Sequence, residues 1–170
     1  ESCIRYVLGQ LSILRIAGES LRKDWIDLLG DYVNQFARAQ AVVMHTDGQK
    51  PLLDHSHAPA GDIRVRFDLY RKQAQTPFQT GTLMLDRTHF KIWLAEHGAD
   101  WKQFQNSVIS EGVDATPASG KFSMGKYTSI KIPQSYVIAI NLNHPRLKHL
   151  LNDVDDGIDN KIIGQLAVVK

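Results

Sequence analysis

A chain of 170 residues, 43% of them hydrophobic and 22% charged, has the composition of one globular domain and not of a disordered chain. Its single cysteine, Cys3, excludes an internal disulfide bond and a cysteine-based metal cage, and it favours a reducing compartment. Because no stretch approaches the roughly 18 consecutive apolar residues of a membrane span, we expect a soluble, cytoplasmic protein.

The net charge of +2 is too small to indicate a nucleic-acid partner by itself, but its distribution is informative. Between Asp114 and Asp153 there is no acidic residue, whereas that stretch carries five basic ones: Lys121, Lys126, Lys131, Arg146 and Lys148. An acidic tail follows at residues 153–159. The sequence opens with neither an initiator methionine nor a signal-peptide pattern, so we expect it to be part of a larger intracellular protein.

The N-terminal segment, residues 1–45, has the apolar spacing of helices. A first helix is predicted over residues 2–16, and a second begins at Glu19 and Ser20. The second helix carries a broad apolar stripe that is typical of a core or of a docking face: Leu21, Trp25, Leu28, Leu29, Tyr32, Val33 and Phe36. Residues 41–45 either extend this helix or form a strand, and the pair Val42-Val43 favours the strand.

The next segment, residues 46–80, is predicted to link the two halves of the chain. Glycines and prolines mark residues 46–61 as a loop, and alternating apolar and polar residues predict a half-buried strand over residues 63–69. His55 and His57 lie on one side of an extended loop and could bind a metal with a third ligand such as His45. A polar surface loop without metal is the favoured interpretation.

The segment 81–143 begins with a predicted strand at residues 82–85, followed by two short helices. Asp86 is the expected N-cap of the first helix, which ends at Gly98, and Asp100 is the expected N-cap of the second, which ends at Gly112. Apolar residues occupy helical spacings in both helices: Phe90, Trp93 and Leu94 in the first, and Trp101, Phe104, Val108 and Ile109 in the second. Two such helices joined by a tight turn form a helix-turn-helix.

Two extended runs are predicted after these helices. A loop containing Pro117 and Gly120 leads to strands over residues 126–132 and 136–142. The order strand, helix, helix, strand, strand is that of a winged helix. We therefore predict an α+β fold, a winged helix-turn-helix with an N-terminal helical extension and additional strands, and a short helix with an acidic tail over residues 144–170.

The pattern from residue 81 to about residue 143, somewhat over a third of the chain, resembles the winged-helix modules that close phage, plasmid and poxvirus-type primase-helicases. The similarity lies in the strand 82–85, the helix 86–94, Phe104 and Ile109 before Gly112-Val113, a lysine-glycine wing at residues 124–127 and the final strand 136–142. The resemblance implies binding to DNA, or to a partner, at the end of a mobile-element replication protein whose other parts would carry NTPase, helicase or primase activity.

In a winged helix the second helix enters the major groove and the wing contacts phosphates. The predicted recognition helix carries side chains that bond base edges or phosphate: Lys102, Gln103, Gln105 and Asn106. The predicted wing carries phosphate donors: Lys121, Lys126, Tyr127, Ser129 and Lys131. Glu111 and Asp114, at the far end of the helix, oppose a close approach to DNA.

The sequence contains no recognisable nucleophile motif and no paired carboxylates in a cleft-like segment, so we expect neither catalysis nor a cofactor. The leading hypothesis is a non-catalytic nucleic-acid-binding accessory domain whose partners are DNA and the rest of its parent chain. A docking or oligomerisation domain is the alternative, with a homo-oligomer formed through Trp25, Leu29, Tyr32 and Phe36. A third hypothesis is a metal-dependent enzyme that uses His55 and His57.

Overall fold

The computed structural model describes residues 24–54, 59, 61–113 and 115–148, with the backbone alone for 115–120. The predicted helix at residues 2–16, the His55–His57 motif and the acidic tail lie outside the described residues. Within them the chain is a mixed α+β fold, which confirms the predicted class. None of the described helices is long and apolar enough to cross a membrane.

The described residues form three α-helices, one short 3-10 helix and six strands. The helices are α1 (Trp25–Gln35), α2 (Arg87–Glu96) and α3 (Trp101–Ser110), and the 3-10 helix is Ala37–Ala39. The strands are β1 (Gln40–Thr46), β2 (Leu52–Leu53), β3 (Val65–Arg71), β4 (Thr80–Asp86), β5 (Ala115–Phe122) and β6 (Ser135–Asn141). They form one sheet in the order β2-β1-β3-β4-β6-β5, in which β1 and β3 are parallel and every other pairing is antiparallel.

The three helices cover one face of the sheet, which we call the helical face. Alternate residues of the strands point to this face and pack against the helices in one core cluster: Val42, Val65, Phe67, Leu69, Leu83, Leu85, Ile138 and Ile140. The apolar stripe of α1 belongs to the same cluster, with Trp25, Leu29 and Tyr32 at most 3% exposed and Phe36 packed against them. The predicted docking stripe therefore packs into the chain's own core, where Trp25, Leu29 and Tyr32 are buried and Phe36 is partly buried.

The ends of α2 and α3 confirm the predicted caps. The carboxylate of Asp86 accepts a hydrogen bond from the His89 amide at 2.9 Å, and that of Asp100 accepts one from the Gln103 amide at 3.0 Å. Gly98 and Gly112 end the helices with φ angles of 70° and 73°, which favour glycine. Ile109, predicted on the apolar side of α3, is 55% exposed because α3 buries only Phe104 and Val108.

A partly buried hydrogen bond links α1 to α2, and one of its partners, His89, makes the stability of the fold pH-dependent. Tyr32 Oη lies 2.9 Å from His89 Nδ1, and burial, followed by the charge of Arg64, lowers the pKa of His89 below its usual 6.5. A neutral imidazole with its proton on Nε2 accepts the Tyr32 proton at Nδ1. The unfolded chain binds a proton at a higher pH than the folded chain, so stability is full above about pH 6.5 and falls as the pH drops towards the folded pKa.

We expect the free energy of unfolding, measured in urea at a series of pH values, to decrease below about pH 6.5. Because other groups also titrate, the comparison is with the variant His89→Gln, which keeps an acceptor but cannot be protonated. The variant should lose part of this pH dependence. Parallel curves for the two proteins would show that His89 does not contribute.

The other face of the sheet is covered differently from what the sequence predicts. Residues 123–134, which connect β5 to β6, lie over it and bury Met124 against Ala41, Ile63 and Val137, with Phe122, Ile130 and Ile132 beside them. The predicted strand 126–132 is wrong: these residues form turns and a loop, and the first strand of the hairpin lies earlier, in β5. The predicted loop at Pro117 and Gly120 is part of that strand, whereas β6 confirms the predicted final strand.

Residues 65–69 of the central strand β3 are buried on both faces, whereas the sequence predicted a half-buried strand there. Arg66 is 0% exposed and Asp68 is 4% exposed, although both alternate with the apolar residues of the helical face. The covering segment 123–134 excludes solvent from them, and they satisfy each other's charge. We call this side of the sheet, with Arg66 and Asp68 at its centre, the polar face.

Candidate nucleic-acid interface

The residues predicted to bind nucleic acid fall into two groups. The first group is on α3, whose buried Phe104 and Val108 anchor it to the helical face. Lys102, Gln103 and Asn106 are exposed on the opposite side of this helix, and Gln105 is partly exposed. The structure therefore presents a polar, mildly basic helix surface to solvent.

Lys121 lies on the same side of the sheet as α3. Phe122 packs into the cluster on the polar face, and Lys121, its neighbour in β5, points the opposite way, as successive residues of a strand do. Its register partner is Tyr136, which is 48% exposed on the helical face. Lys121 and Tyr136 therefore lie on the same face of the sheet as α3. Sequence reasoning missed Tyr136, since it opens an otherwise buried strand.

The second group lies on segment 123–134 and hence over the polar face. Lys126, Tyr127, Ser129 and Lys131 are all exposed there. The segment does not project as a free hairpin, because its backbone is held against the sheet by Arg66. The structure thus places these four residues on the opposite face from α3, so a single rigid duplex contacts one group or the other.

Arg146 pairs with two carboxylates at the acidic end of α3. Its Nη1 donates to both carboxylate oxygens of Glu111, at 2.8 and 2.7 Å, and its Nη2 is bonded to the carboxylate of Asp24. The hydrogen bond from Arg146 lowers the pKa of Glu111, which is therefore a carboxylate at neutral pH. With its charge paired, Glu111 opposes a polyanion at this end of α3 less than the sequence alone predicts.

The polar face is organised by Arg66. Its Nε and Nη2 lie 3.0 and 2.8 Å from Asp68 Oδ1, while Nη1 donates to the carbonyl oxygens of Met124 at 3.0 Å and Lys126 at 2.5 Å. The guanidinium also lies 5.1 Å from the centroid of the Phe122 ring. Arg66 therefore ties the segment that carries Lys126 and Tyr127 to the centre of the sheet.

Three aromatic side chains, those of His45, Tyr70 and Tyr127, lie beside the Arg66–Asp68 pair on the polar face. The His45 ring is stacked on the Tyr70 ring, with centroids 4.5 Å apart and planes inclined by 18°, and Tyr127 meets His45 edge-on at 6.2 Å. Tyr127 has a φ angle of 68°, an uncommon conformation for a tyrosine. His45 Nε2 also lies 3.4 Å from Asp68 Oδ1. Burial raises the pKa of the Tyr70 phenol, which stays neutral at physiological pH.

Comparison with protein-family models, with curated proteins and with solved structures finds no match to this chain. Function is therefore argued from its surfaces. In the part of the chain that the structure describes, no group of three His, Cys, Asp or Glu residues could hold a metal ion. His45, considered above as a third metal ligand, contacts Asp68 and Tyr70, while His55 and His57 lie outside the described residues.

Proposed function

We propose that this chain is a non-catalytic nucleic-acid-binding domain that contacts duplex DNA through α3. The observation that carries the proposal is the order β4-α2-α3-β5-β6 together with the strand order β4-β6-β5, in which a helix-turn-helix is followed by a hairpin that pairs with the preceding strand. A winged helix has the same order of elements, and in a winged helix the second helix enters the major groove, which supports the proposal.

The exposed surface of α3 has the side chains that such contacts require. Lys102 and Lys121 are suited to phosphates, and Gln103 and Asn106 to adenine edges in the groove. The pairing of Glu111 with Arg146, which Asp24 shares, partly offsets a repulsive charge at the end of the same helix. A mobile-element replication protein is the parent that we propose, on the resemblance of residues 81–143.

The double variant Lys102→Ala/Lys121→Ala tests this assignment. If each lysine contacts one phosphate, the salt dependence of duplex binding should become shallower by about 1.8 logarithmic units, and affinity should fall by about tenfold per lysine at 0.1 M salt. Fluorescence anisotropy with a labelled duplex at several salt concentrations measures both quantities. Sequence-independent weakening is expected, since phosphate contacts do not distinguish bases.

The matched control is Lys126→Ala/Lys131→Ala, which removes the same charge from the polar face. Because those lysines lie on the opposite side of the sheet, duplex affinity and its salt slope should stay near those of the parent. Equal losses in the two double variants would mean that charge alone, and not the surface of α3, attracts DNA. If the chain without substitutions does not bind duplex DNA at low salt, the proposed function is overturned.

A further inference from the structure

The polar face is covered at one end only. Segment 123–134 packs over the end that contains Ala41, Met84 and Val137. At the other end, Tyr70 on β3 lies opposite Thr80 on β4, and Thr82 on β4 lies opposite Asn141 on β6. Tyr70 is 40% exposed, and Thr80 and Asn141 are exposed. An aromatic ring therefore stands beside small polar side chains at an accessible end of the sheet.

One flat side of the Tyr70 ring is occupied and the other faces small residues. His45, from β1 on one side of β3, stacks on the ring. The other flat side therefore turns towards β4, where the residues on this face are Thr80 and Thr82. A threonine side chain is too short to cover a phenol ring. The His45 ring is itself fixed by Tyr127 and Asp68, so the Tyr70 ring is ordered before any ligand binds.

Three lysines follow the strands or lie on the covering segment near this end of the sheet. Lys50 follows β1, Lys72 follows β3, and Lys126 Nζ lies 5.0 Å from the Tyr127 ring centroid. Arg71 is on the helical face, where its guanidinium lies 5.0 Å from the Phe78 ring centroid. Asp47 is an exposed acid after β1, but the carboxylate of Asp68 is engaged by Arg66. The surroundings of the exposed ring thus carry more positive than negative charge, which suits a polyanion that also contains flat rings.

We propose that this end of the polar face binds single-stranded nucleic acid, with one unpaired base stacked on the free side of Tyr70. Thr82 and the Nδ2 group of Asn141 are the donors nearest to the edge of that base, since Asn141 Oδ1 already accepts the Asn143 amide. Lys50, Lys72 and Lys126 attract the neighbouring phosphates. A base inside a duplex is already stacked on both sides, so this surface selects unpaired bases. The surface is separate from that of α3 and the proposal does not depend on it.

The test compares Tyr70→Leu with Tyr70→Phe in binding to a labelled oligothymidine of about a dozen nucleotides. Leucine fills similar space without a stacking surface, and we expect affinity to fall between about fivefold and about a hundredfold. Phenylalanine keeps the ring and should bind within about twofold of the parent. Equal affinities of the leucine variant and the parent would overturn the proposal.

Two measurements on the parent protein keep the test independent of how the variants fold. A strand of the same length with abasic sugars should bind at least fivefold more weakly than oligothymidine, because it keeps the phosphates and lacks the bases. Thymidine monophosphate should compete only at far higher concentration, since it lacks neighbouring phosphates. An abasic strand that binds as well as oligothymidine, or a mononucleotide that competes equally, contradicts a single-strand site.

Testing each variant with the ligand of the other surface shows whether the two nucleic-acid surfaces are separate. Tyr70→Leu should bind duplex DNA as the parent does, and Lys102→Ala/Lys121→Ala should still bind oligothymidine. Loss of duplex binding alone in the lysine variant leaves the single-strand proposal standing. A Tyr70→Leu variant that loses both ligands equally while its circular dichroism spectrum is unchanged would show that the two surfaces are not separate.

Discussion

Replacing Arg66 with leucine is expected to lower the free energy of unfolding by about 3–5 kcal/mol, the usual effect of removing one partner from a buried ion pair. Arg66 is fully buried and is the cation nearest to Asp68, so the variant leaves that carboxylate in the interior without its counter-charge. The carbonyl groups of Met124 and Lys126 lose their donor as well. Urea unfolding followed by far-ultraviolet circular dichroism measures the change.

The double variant Arg66→Leu/Asp68→Leu is the matched control. Replacing both members of a buried pair by apolar side chains is often neutral or stabilising, so most of the lost stability should return. The loop carbonyls remain without their donor, and recovery should therefore be incomplete. A double variant as unstable as Arg66→Leu would indicate that the guanidinium acts mainly on the loop and not on Asp68.

The second large effect is expected at Gly125, where the covering segment folds tightly on itself. A Cβ atom added at this residue would lie 2.2 Å from the carbonyl oxygen of Ile130. Since the obstacle is backbone and not a flexible side chain, the segment must move away from the sheet. We expect Gly125→Ala to lower the free energy of unfolding by about 1–3 kcal/mol, as overpacking of a core does.

Gly30→Ala is the matched control for this substitution. Gly30 lies within α1, no atom lies within 4 Å of its added Cβ, and alanine favours helix over glycine. This variant should be more stable than the parent by about 0.5–1 kcal/mol. Limited proteolysis should cut segment 123–134 faster in Gly125→Ala only. If both alanine variants are stabilised, the close approach of residues 125 and 130 does not exist in solution.

Local sequence signals predicted α2 and α3 well, whereas α1 begins at Trp25, after the N-cap Asp24, and not at Glu19 and Ser20 as predicted. The caps Asp86 and Asp100 and the glycines after each helix act within a few residues of one another, so they are readable from the chain alone. The strands β3, β4 and β6 were also predicted, because runs of β-branched and apolar residues in them are bounded by turns. In each case the interaction that determines the element joins residues that are close together in the sequence.

The covering segment could not be predicted in the same way. Alternation over residues 126–132 is typical of a strand, but Ile130 and Ile132 are buried by folding over the sheet and not by pairing within it. β5 contains Pro117, which a central strand would not tolerate. It is accepted because β5 is at the edge of the sheet and its register shifts between Pro117 and Lys121. Both facts depend on contacts distant in sequence.

The same limit applies to the candidate interface. The sequence identified polar side chains on α3 and lysines after it, yet it could not show which lysines share a face with that helix. The answer depends on the register of Lys121 with Tyr136 and on the hydrogen bond from Arg66 to the Lys126 carbonyl group. Arg66 and Asp68 are two residues apart and share one side of a strand, but their burial follows only from the segment that covers them.

The edges of the sheet have a consequence for self-association. Among the described strands, β2 and β5 lie at the two margins. β2 is two residues long, and β5 has a proline and an irregular register, so neither offers a long, regular row of free amide and carbonyl groups to another chain. The described part of the fold is thereby protected against strand-by-strand polymerisation.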